Sequence, residues 1–458
     1  MREKEFSIKT LCRTFWNLEK EEKLFDLEIQ NAKVWELIRF NVFFEITREL
    51  NLYELAHSQK NTMKEKLSFL PKLIFNTFLR NPLRGNYTRN ILIFDHPRKM
   101  KTQGTYIDIY TNYFIETLKK NEYDVIESPY LWKHLTKRSD KNRKYTDALI
   151  LKKFIRKYKT NYQLDEYEIE MLIQLESKLF ETFNVKVELV NRVQKVIKLF
   201  NIEFEYYKKL FQKRSPQKIY VVISYGKGSL IAAAKSCNVE VIEFQHGVIT
   251  PYHIAYSFPH LSQKLEYFPE KILTFGKYWG EATQFPKDVK YEVYGFPYLK
   301  EKFKKNKEVK KNRKQILILS QGTIGNKLSE FTYKLAQKLP DYKIIYKLHP
   351  GEYNRWKSSY PFLIKASEFE NVTIIENNNT DLHSYLSESE YQIGVYSTAI
   401  FEGLTFGCKT ILFNIEGIEY MEYLVTNKIV IAINNEDECV KAVKNFKAKP
   451  FDSDYFFE

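Results

Sequence analysis

The sequence predicts an α/β fold built as two lobes facing a cleft, with a helical extension ahead of them. Three observations carry this. Short apolar runs of strand length alternate with amphipathic segments of helix length, the rhythm of parallel βαβ units; the runs include ILIFDHP, KIYVVIS, VEVIEFQHG, KQILILSQG, DYKIIYKLHPG and YQIGVYST. The rhythm occurs before and again after the basic stretch YLKEKFKKNKEVKKNRK at 298–314, which reads as an interdomain linker. The informative polar residues fall where strands end, the edge from which an open parallel sheet presents a ligand. Rossmann-like lobes are therefore expected over 91–300 and 315–450, with 1–90 as the helical extension.

Composition sets the bounds. A chain of 458 residues can bury two substantial cores, and 44% hydrophobic with 28% charged residues is globular material. No run approaches the ~18 uninterrupted apolar residues of a membrane span. The start, MREKEFSIKT, lacks the apolar core of a secretory signal. Cys12, Cys237, Cys408 and Cys439 show neither disulfide nor metal-ligand spacing, so a reduced cytoplasmic setting is expected, peripheral on the inner membrane face at most. The net charge of +15 concentrates at 133–159 and 298–314. Such clusters are read either as solvated helices and a linker or as contacts to an anionic membrane or polyanionic acceptor. Nucleic acid is not expected as a partner, since no helix-turn-helix, zinc-finger or RNA-binding signature is present.

Taken in order, LFDLEIQNAKVWELIRFNVFFEITREL has helical apolar spacing. Trp35, Leu37, Ile38 and Phe43 are expected to pack as a structural collar on the following lobe, with Pro71 and the NPLRGN turn closing the extension. ILIFDHP is the first buried strand, and Asp95 and His96 at its end either contact an acceptor or form a turn. TYIDIYTNYFIETLKK reads as helix, YDVIES as strand, and 142–212 as long amphipathic helices, structural or membrane-facing. In KIYVVISYGKGSLIAAAKSCNVEVIEFQHG, Gly226 and Gly228 allow a tight turn and Ser229 can cap the next helix. With neither phosphate-loop spacing present, this is an ordinary βα turn. The unit ends in Gln245-His246-Gly247. A histidine directly after a buried strand stands at the cleft rim, where it either bonds into the turn or accepts a proton from an attacking hydroxyl. His253, Tyr256 and His260 add polar groups near the same mouth.

In the second half, Gln321 and Gly322 lie in the exit loop of KQILILSQG, where glycine permits close approach of a ligand to the backbone. Lys347 and His349 are two residues apart, should share a strand face and are both expected to face the donor phosphate. Ser397 and Thr398 end one strand and open a helix, whose free N–H groups and dipole favour an anion. Glu402 lies one turn beyond Thr398. A capping box counted from Thr398 would need its carboxylate at Phe401, so ribose hydroxyls are the better partner for Glu402. Gly403 and Gly407 keep that helix slim or end it. Departure of a phosphate leaving group builds negative charge that donors and cations must meet. A nucleotide-activated donor is thus the expected co-substrate, with no other cofactor.

KLHPGE, YSTAIFEG and FQHG together resemble the GT-B transferases of bacterial surface-polysaccharide synthesis over roughly residues 218–430. Within these they are similar to the capsule-polysaccharide and polysialyltransferase-like enzymes and to the CDP-glycerol glycerophosphotransferases. The resemblance implies that His349, Ser397 and Thr398 bind donor phosphate, that Glu402 binds ribose and that His246 is the general base. It further implies a CMP-, CDP- or UDP-linked sugar donor and, as acceptor, a hydroxyl of a growing capsule, O-antigen or lipooligosaccharide glycan, free or lipid-linked. Asp95, His96, Gln245, His253 and Tyr256 are the acceptor-side candidates. The glycerophosphotransferase motif has an aromatic residue before His-Gly and Thr-Pro after it; here Gln245 precedes and Val248-Ile249 follow, which favours a sugar over an alditol phosphate. The acidic sialyltransferase motif is not evident, so the base assignment stays open.

The Asp-x-Asp motif of metal-dependent GT-A enzymes occurs as Asp452-Ser453-Asp454, in what reads as an exposed tail. Metal-independent turnover is expected. The alternatives are a CDP-alditol phosphotransferase of teichoic-acid type, a nucleotide-sugar epimerase and a non-catalytic scaffold of capsule assembly.

Overall fold

The computed structural model describes residues 6–53, 63–102, 104–136, 140–159 and 163–458. The first five residues of the charged N-terminus and 137–139 of the first basic cluster lie outside them. The first sheet holds β1 (Ile91–Phe94), β2 (Tyr123–Glu127), β3 (Arg143–Tyr145), β4 (Lys218–Val222), β5 (Glu240–Phe244), β6 (Lys271–Thr274) and β7 (Lys290–Val293). The second holds β8 (Asn312–Leu319), β9 (Lys343–Lys347), β10 (Val372–Ile375), β11 (Ser389–Gly394), β12 (Lys409–Phe413) and β13 (Ile431–Ile433). The spatial orders are β3-β2-β1-β4-β5-β6-β7 and β10-β9-β8-β11-β12-β13, with every neighbouring pair parallel.

Each chain path runs from the sheet centre to one edge and then returns to build the other side. Both sheets therefore have a switch point, between β1 and β4 and between β8 and β11, where the flanking loops part and leave a crevice. The strands are continuous apolar runs because both faces are covered; Ile316, Leu317 and Ile318 on β8 are wholly buried. Two doubly wound lobes across one cleft are the GT-B arrangement that the sequence predicts.

The helical extension is more than a collar on one lobe. α1 (Ile8–Glu21) begins at Ser7, which forms a capping box with Thr10. Buried Glu19 ties α1 to α2 (Val34–Glu49), taking hydrogen bonds from Trp35 Nε1 at 2.7 Å and Arg39 Nε at 2.5 Å. Arg39 also donates to the carbonyls of Ile254 and Ser257 in the first lobe. Ile8 N and Lys9 reach Glu419 and Glu422 of the second lobe. The extension thus straddles both lobes. Pro71 does not end it: the residue lies inside α3 (Met63–Leu79).

The segment 105–120 is largely not helical. A short antiparallel hairpin joins Met100–Thr102 to Thr105–Ile107, and only Asn112–Glu116 is helix. After it come α4 (Asp147–Lys159), α5 (Glu166–Phe183) and α6 (Val190–Arg214). Ser229 caps nothing; its hydroxyl bonds Glu203 at 2.5 Å, and Lys227 holds the N-cap position. The basic stretch 298–314 is no bare linker, since Pro297–Lys305 is helix and β8 starts at Asn312.

Asp452 and Asp454 are exposed, as expected, but the aromatic residues beyond them are docked. Phe456 and Phe457 are buried, Trp279 Nε1 donates to Phe456 O at 2.6 Å, and Glu458 N donates to Phe275 O at 2.9 Å. Gly276 lies so close to this strap that an added Cβ would meet the Phe456 carbonyl carbon at 2.6 Å. The chain therefore crosses from second lobe to first a second time, on apolar contacts that the charged look of 452–454 conceals.

Candidate functional site

In the second lobe the motif KLHPGE is knitted by its glutamate. Glu352 is fully buried and accepts from His349 N at 2.6 Å, Ser320 Oγ at 2.9 Å and Tyr360 Oη at 2.8 Å. One carboxylate thereby fixes the exits of β8 and β9 against each other. His349 lines the cleft, its Nδ1 accepting from Gly351 N at 3.1 Å. Burial first, then the charges of Arg98, Lys347 and Arg355, lower its pKa to about 4. Because β8 lies between β9 and β11, the loops bearing His349 and Ser397 leave the sheet about 10 Å apart, two strand spacings, with Gln321 and Gly322 between them.

Beyond β11, Ser397 is the N-cap of α8 (Thr398–Thr405), and its hydroxyl accepts from Ala399 N at 3.2 Å; α7 (Leu382–Glu388) lies just upstream. With Ser397 as cap the third helical position is Ile400, so Glu402 is again outside a capping box. Its partner is His383 of α7, whose Nε2 lies 2.7 Å from Glu402 Oε2 while Nδ1 lies 2.8 Å from Asp381. Lys302 completes the chain on Asp381. Burial lowers the His383 pKa, but the two carboxylates outweigh it and hold the imidazole up to about 9. A Cβ at 403 would fall 2.0 Å from Gln392 Oε1, so any larger residue there must displace that buried side chain, and Gly407 follows the helix at φ +70°.

Lys347 departs from expectation. Its ammonium bonds Tyr353 Oη at 2.6 Å, Asn377 O at 3.0 Å and Asn378 Oδ1 at 3.3 Å, and burial lowers its pKa to about 8. It serves its own lobe, not the crevice. The reason is that β9 stops at Lys347, so the two-residue alternation does not carry on to His349.

On the first lobe, three acceptor-side candidates turn inward. Asp95 is buried between Lys99 at 2.5 Å and Arg143 at 2.6 Å. Gln245 spans the loop, donating to Gly247 O at 2.7 Å and accepting from Phe275 N at 2.8 Å. Tyr256 is buried with its hydroxyl on Glu243. Each was placed by its position in sequence, and each satisfies a buried polar group instead. His96 stays at the crevice, its ring near-parallel to His246 at 6.4 Å, and His253 lines the cleft.

His246 itself is set by neighbours. Tyr110 Oη donates to its carbonyl at 2.9 Å, and Tyr225 Oη lies 3.3 Å from Nε2. Its Nδ1 is buried and has no partner among the described residues. Burial, followed by the charges of His253, His96 and Lys227, lowers its pKa to about 3. A Cβ added at Gly247 would stand 3.6 Å from Thr398 Oγ1. The His-Gly turn of one lobe thus meets the Ser-Thr helix start of the other.

Beside this junction is a cavity of about 400 Å³. Gln321, Gly322, His349 and Arg355 form one wall, Val248, His253 and Ile254 another, and Phe43, Phe44 and Tyr53 of the extension a third. The sequence reading missed Arg98, Arg355 and the aromatic wall. Arg355 follows His349 by six residues and donates to Gly322 O at 2.7 Å; the basic residue just past KLHPGEY was the signal for it.

No protein-family pattern matches the chain, and no curated protein matches it by sequence. Among solved structures, a UDP-GlcNAc 2-epimerase from Methanocaldococcus jannaschii aligns at 12% identity over 81% of this chain and 95% of its own, with a TM-score of 0.44. The Neisseria meningitidis UDP-GlcNAc 2-epimerase bound to UDP-GlcNAc aligns at 12% identity over 78% and 91%, with a TM-score of 0.45. Acinetobacter baumannii MurG aligns at 9% identity over 78% and 91%, with a TM-score of 0.40.

Proposed function

We propose that this protein is a glycosyltransferase that moves a sugar from a nucleotide-activated donor to a hydroxyl of a growing surface glycan. The observation that carries the reading is the meeting of His246-Gly247 with the Thr398 hydroxyl across the cleft. A base candidate on one lobe and an anion-binding helix start on the other then share one space. The donor phosphate is held at the start of α8 by Thr398 and free N–H groups, flanked by His349, Gly322 and Arg355. Glu402, fixed by His383, takes the ribose. His246 is neutral at pH 7 and so able to accept the acceptor's proton as its oxygen attacks the anomeric carbon; the C–O bond to phosphate breaks and the nucleotide leaves with the electron pair. The negative charge of the bound donor raises the imidazole pKa from its low resting value, which makes the base effective once the donor is in place.

The test is incubation with CMP-, CDP- and UDP-sugars, with and without glycan acceptor, followed by product analysis. Acceptor-dependent release of nucleotide with a new glycosidic bond supports the transferase. An epimerised nucleotide-sugar without acceptor, or a transferred alditol phosphate, would replace it with one of the other enzyme classes. Failure to bind any of the nucleotides in calorimetry would leave a scaffold.

A further inference from the structure

On α3, Phe69, Leu73 and Asn76 turn inward, whereas Leu70, Ile74, Phe75, Phe78 and Leu79 are 45%, 44%, 51%, 59% and 61% exposed. Asn76 bonds Asp147 at 3.0 Å and so ties α3 to α4, on which Phe154 and Ile155 are 65% and 47% exposed. Single exposed apolar residues are ordinary, but this many on two packed helices form a patch of the kind that marks an interaction surface.

The two segments that carry the patch are basic, and of the neighbouring carboxylates Glu203 is paired with Lys153 and Glu205 lies near Lys152. SFLPKLIFNTFLRNPLR at 68–84 carries Lys72, Arg80 and Arg84 and no acidic residue. The Arg84 guanidinium lies 6.0 Å from the Phe78 ring. ALILKKFIRKYK at 148–159 likewise contains no acidic residue, and after burial the charges of Arg156 and Lys209 are what lower the pKa of Lys152. Large aliphatic and phenyl side chains bordered by cations match the layering of a bilayer surface, acyl boundary beneath a plane of phosphates. A second copy of the chain is a poorer fit, since an isologous contact would bring the same cations together. No helix among the described residues is long and apolar enough to cross a membrane.

We propose that α3 and the Phe154-Ile155 turn of α4 form a docking face for the surface of an anionic phospholipid bilayer. The face is remote in sequence from the donor motifs, and its test does not depend on the transferase reading. The full chain is sedimented with vesicles of phosphatidylcholine alone or mixed with phosphatidylglycerol. Binding is expected to the mixed vesicles, at least tenfold weaker to neutral ones, and to fall with added salt. Ile74→Asp/Phe78→Asp and Lys72→Glu/Arg84→Glu should each weaken it at least tenfold with an unchanged melting temperature. Should the first variant melt early, Leu79→Glu reports on the most exposed of the patch's apolar residues on α3. No binding to anionic vesicles, or equal binding by properly folded variants, overturns the proposal. So does a lipid-free dimer that the apolar variant dissolves, which would make the face a self-association surface.

Discussion

The proposed function gives His246 and His349 different tasks, which mutation should separate. His246→Ala removes the proton acceptor but touches no proposed phosphate contact, so kcat should fall by about 100-fold or more with donor affinity largely kept. His349→Ala should weaken nucleotide binding as well, which calorimetry reads directly. Wild-type activity in both variants would discard the assignment. The pH profile offers a second reading. The pKa of His246 is about 3 without donor, so kcat/KM should show no acid limb from it within about pH 5 to 8, while kcat, which reports the donor complex, should show its acid limb at higher pH. His383 gives a stability signature instead. Its folded-state pKa of about 9 exceeds the unfolded value of about 6.5. Its contribution is therefore complete below that unfolded value and is lost as pH rises through the folded one. Thermal melts from mildly acidic to alkaline pH should show a decline that His383→Gln lacks. His349, Thr398 and His246 stand out in the sequence because each follows the end of a strand by a few residues. Lys347 was misread because strand alternation stops at the strand, and His383 was missed because, although Asp381 is its neighbour in sequence, Glu402 is brought to it only by folding.

At the level of elements, strands were more legible than the pieces that join them. Apolar runs announce β4, β5, β8 and β9 without ambiguity, whereas TYIDIYTNYFIETLKK has helix-like composition and still forms a hairpin and one short turn of helix. Pro71 shows the same limit: a proline signals a helix end locally, yet buried Phe69 and Leu73 on either side hold the helix through it. The collar's anchor is testable. Arg39→Ala would leave the buried Glu19 carboxylate without its cation, and removing one partner of such a pair costs about 3–5 kcal/mol. Chemical denaturation should show a loss of that size, and the cavity wall formed by Phe43 and Phe44 should loosen with it. For the strap, Phe456→Ala deletes a buried ring and should cost about 3–5 kcal/mol, measured the same way. An unchanged midpoint would mean that the strap adds nothing to the fold.

Across the whole molecule, the proposed anion site would be assembled from groups the chain carries itself. Arg98 from one lobe and Lys347 and Arg355 from the other supply positive potential around His349. Turnover is accordingly expected to persist in EDTA; complete loss restored by manganese would contradict the reading. The two-lobed plan was legible because the strand rhythm repeats on either side of a basic stretch. The bridging role of the extension was not, since which lobe an amphipathic helix covers depends on partners distant in sequence, such as Glu419 and Glu422 for α1.

The docked C-terminal strap has a mechanical consequence. With the segment between β7 and β8, the strap and the helical extension all spanning the lobes, the halves are joined at three places. Each added tether removes freedom for one lobe to slide or twist past the other. The approach of the His246-Gly247 turn to Thr398 is then set by the fold and need not be found anew by each substrate.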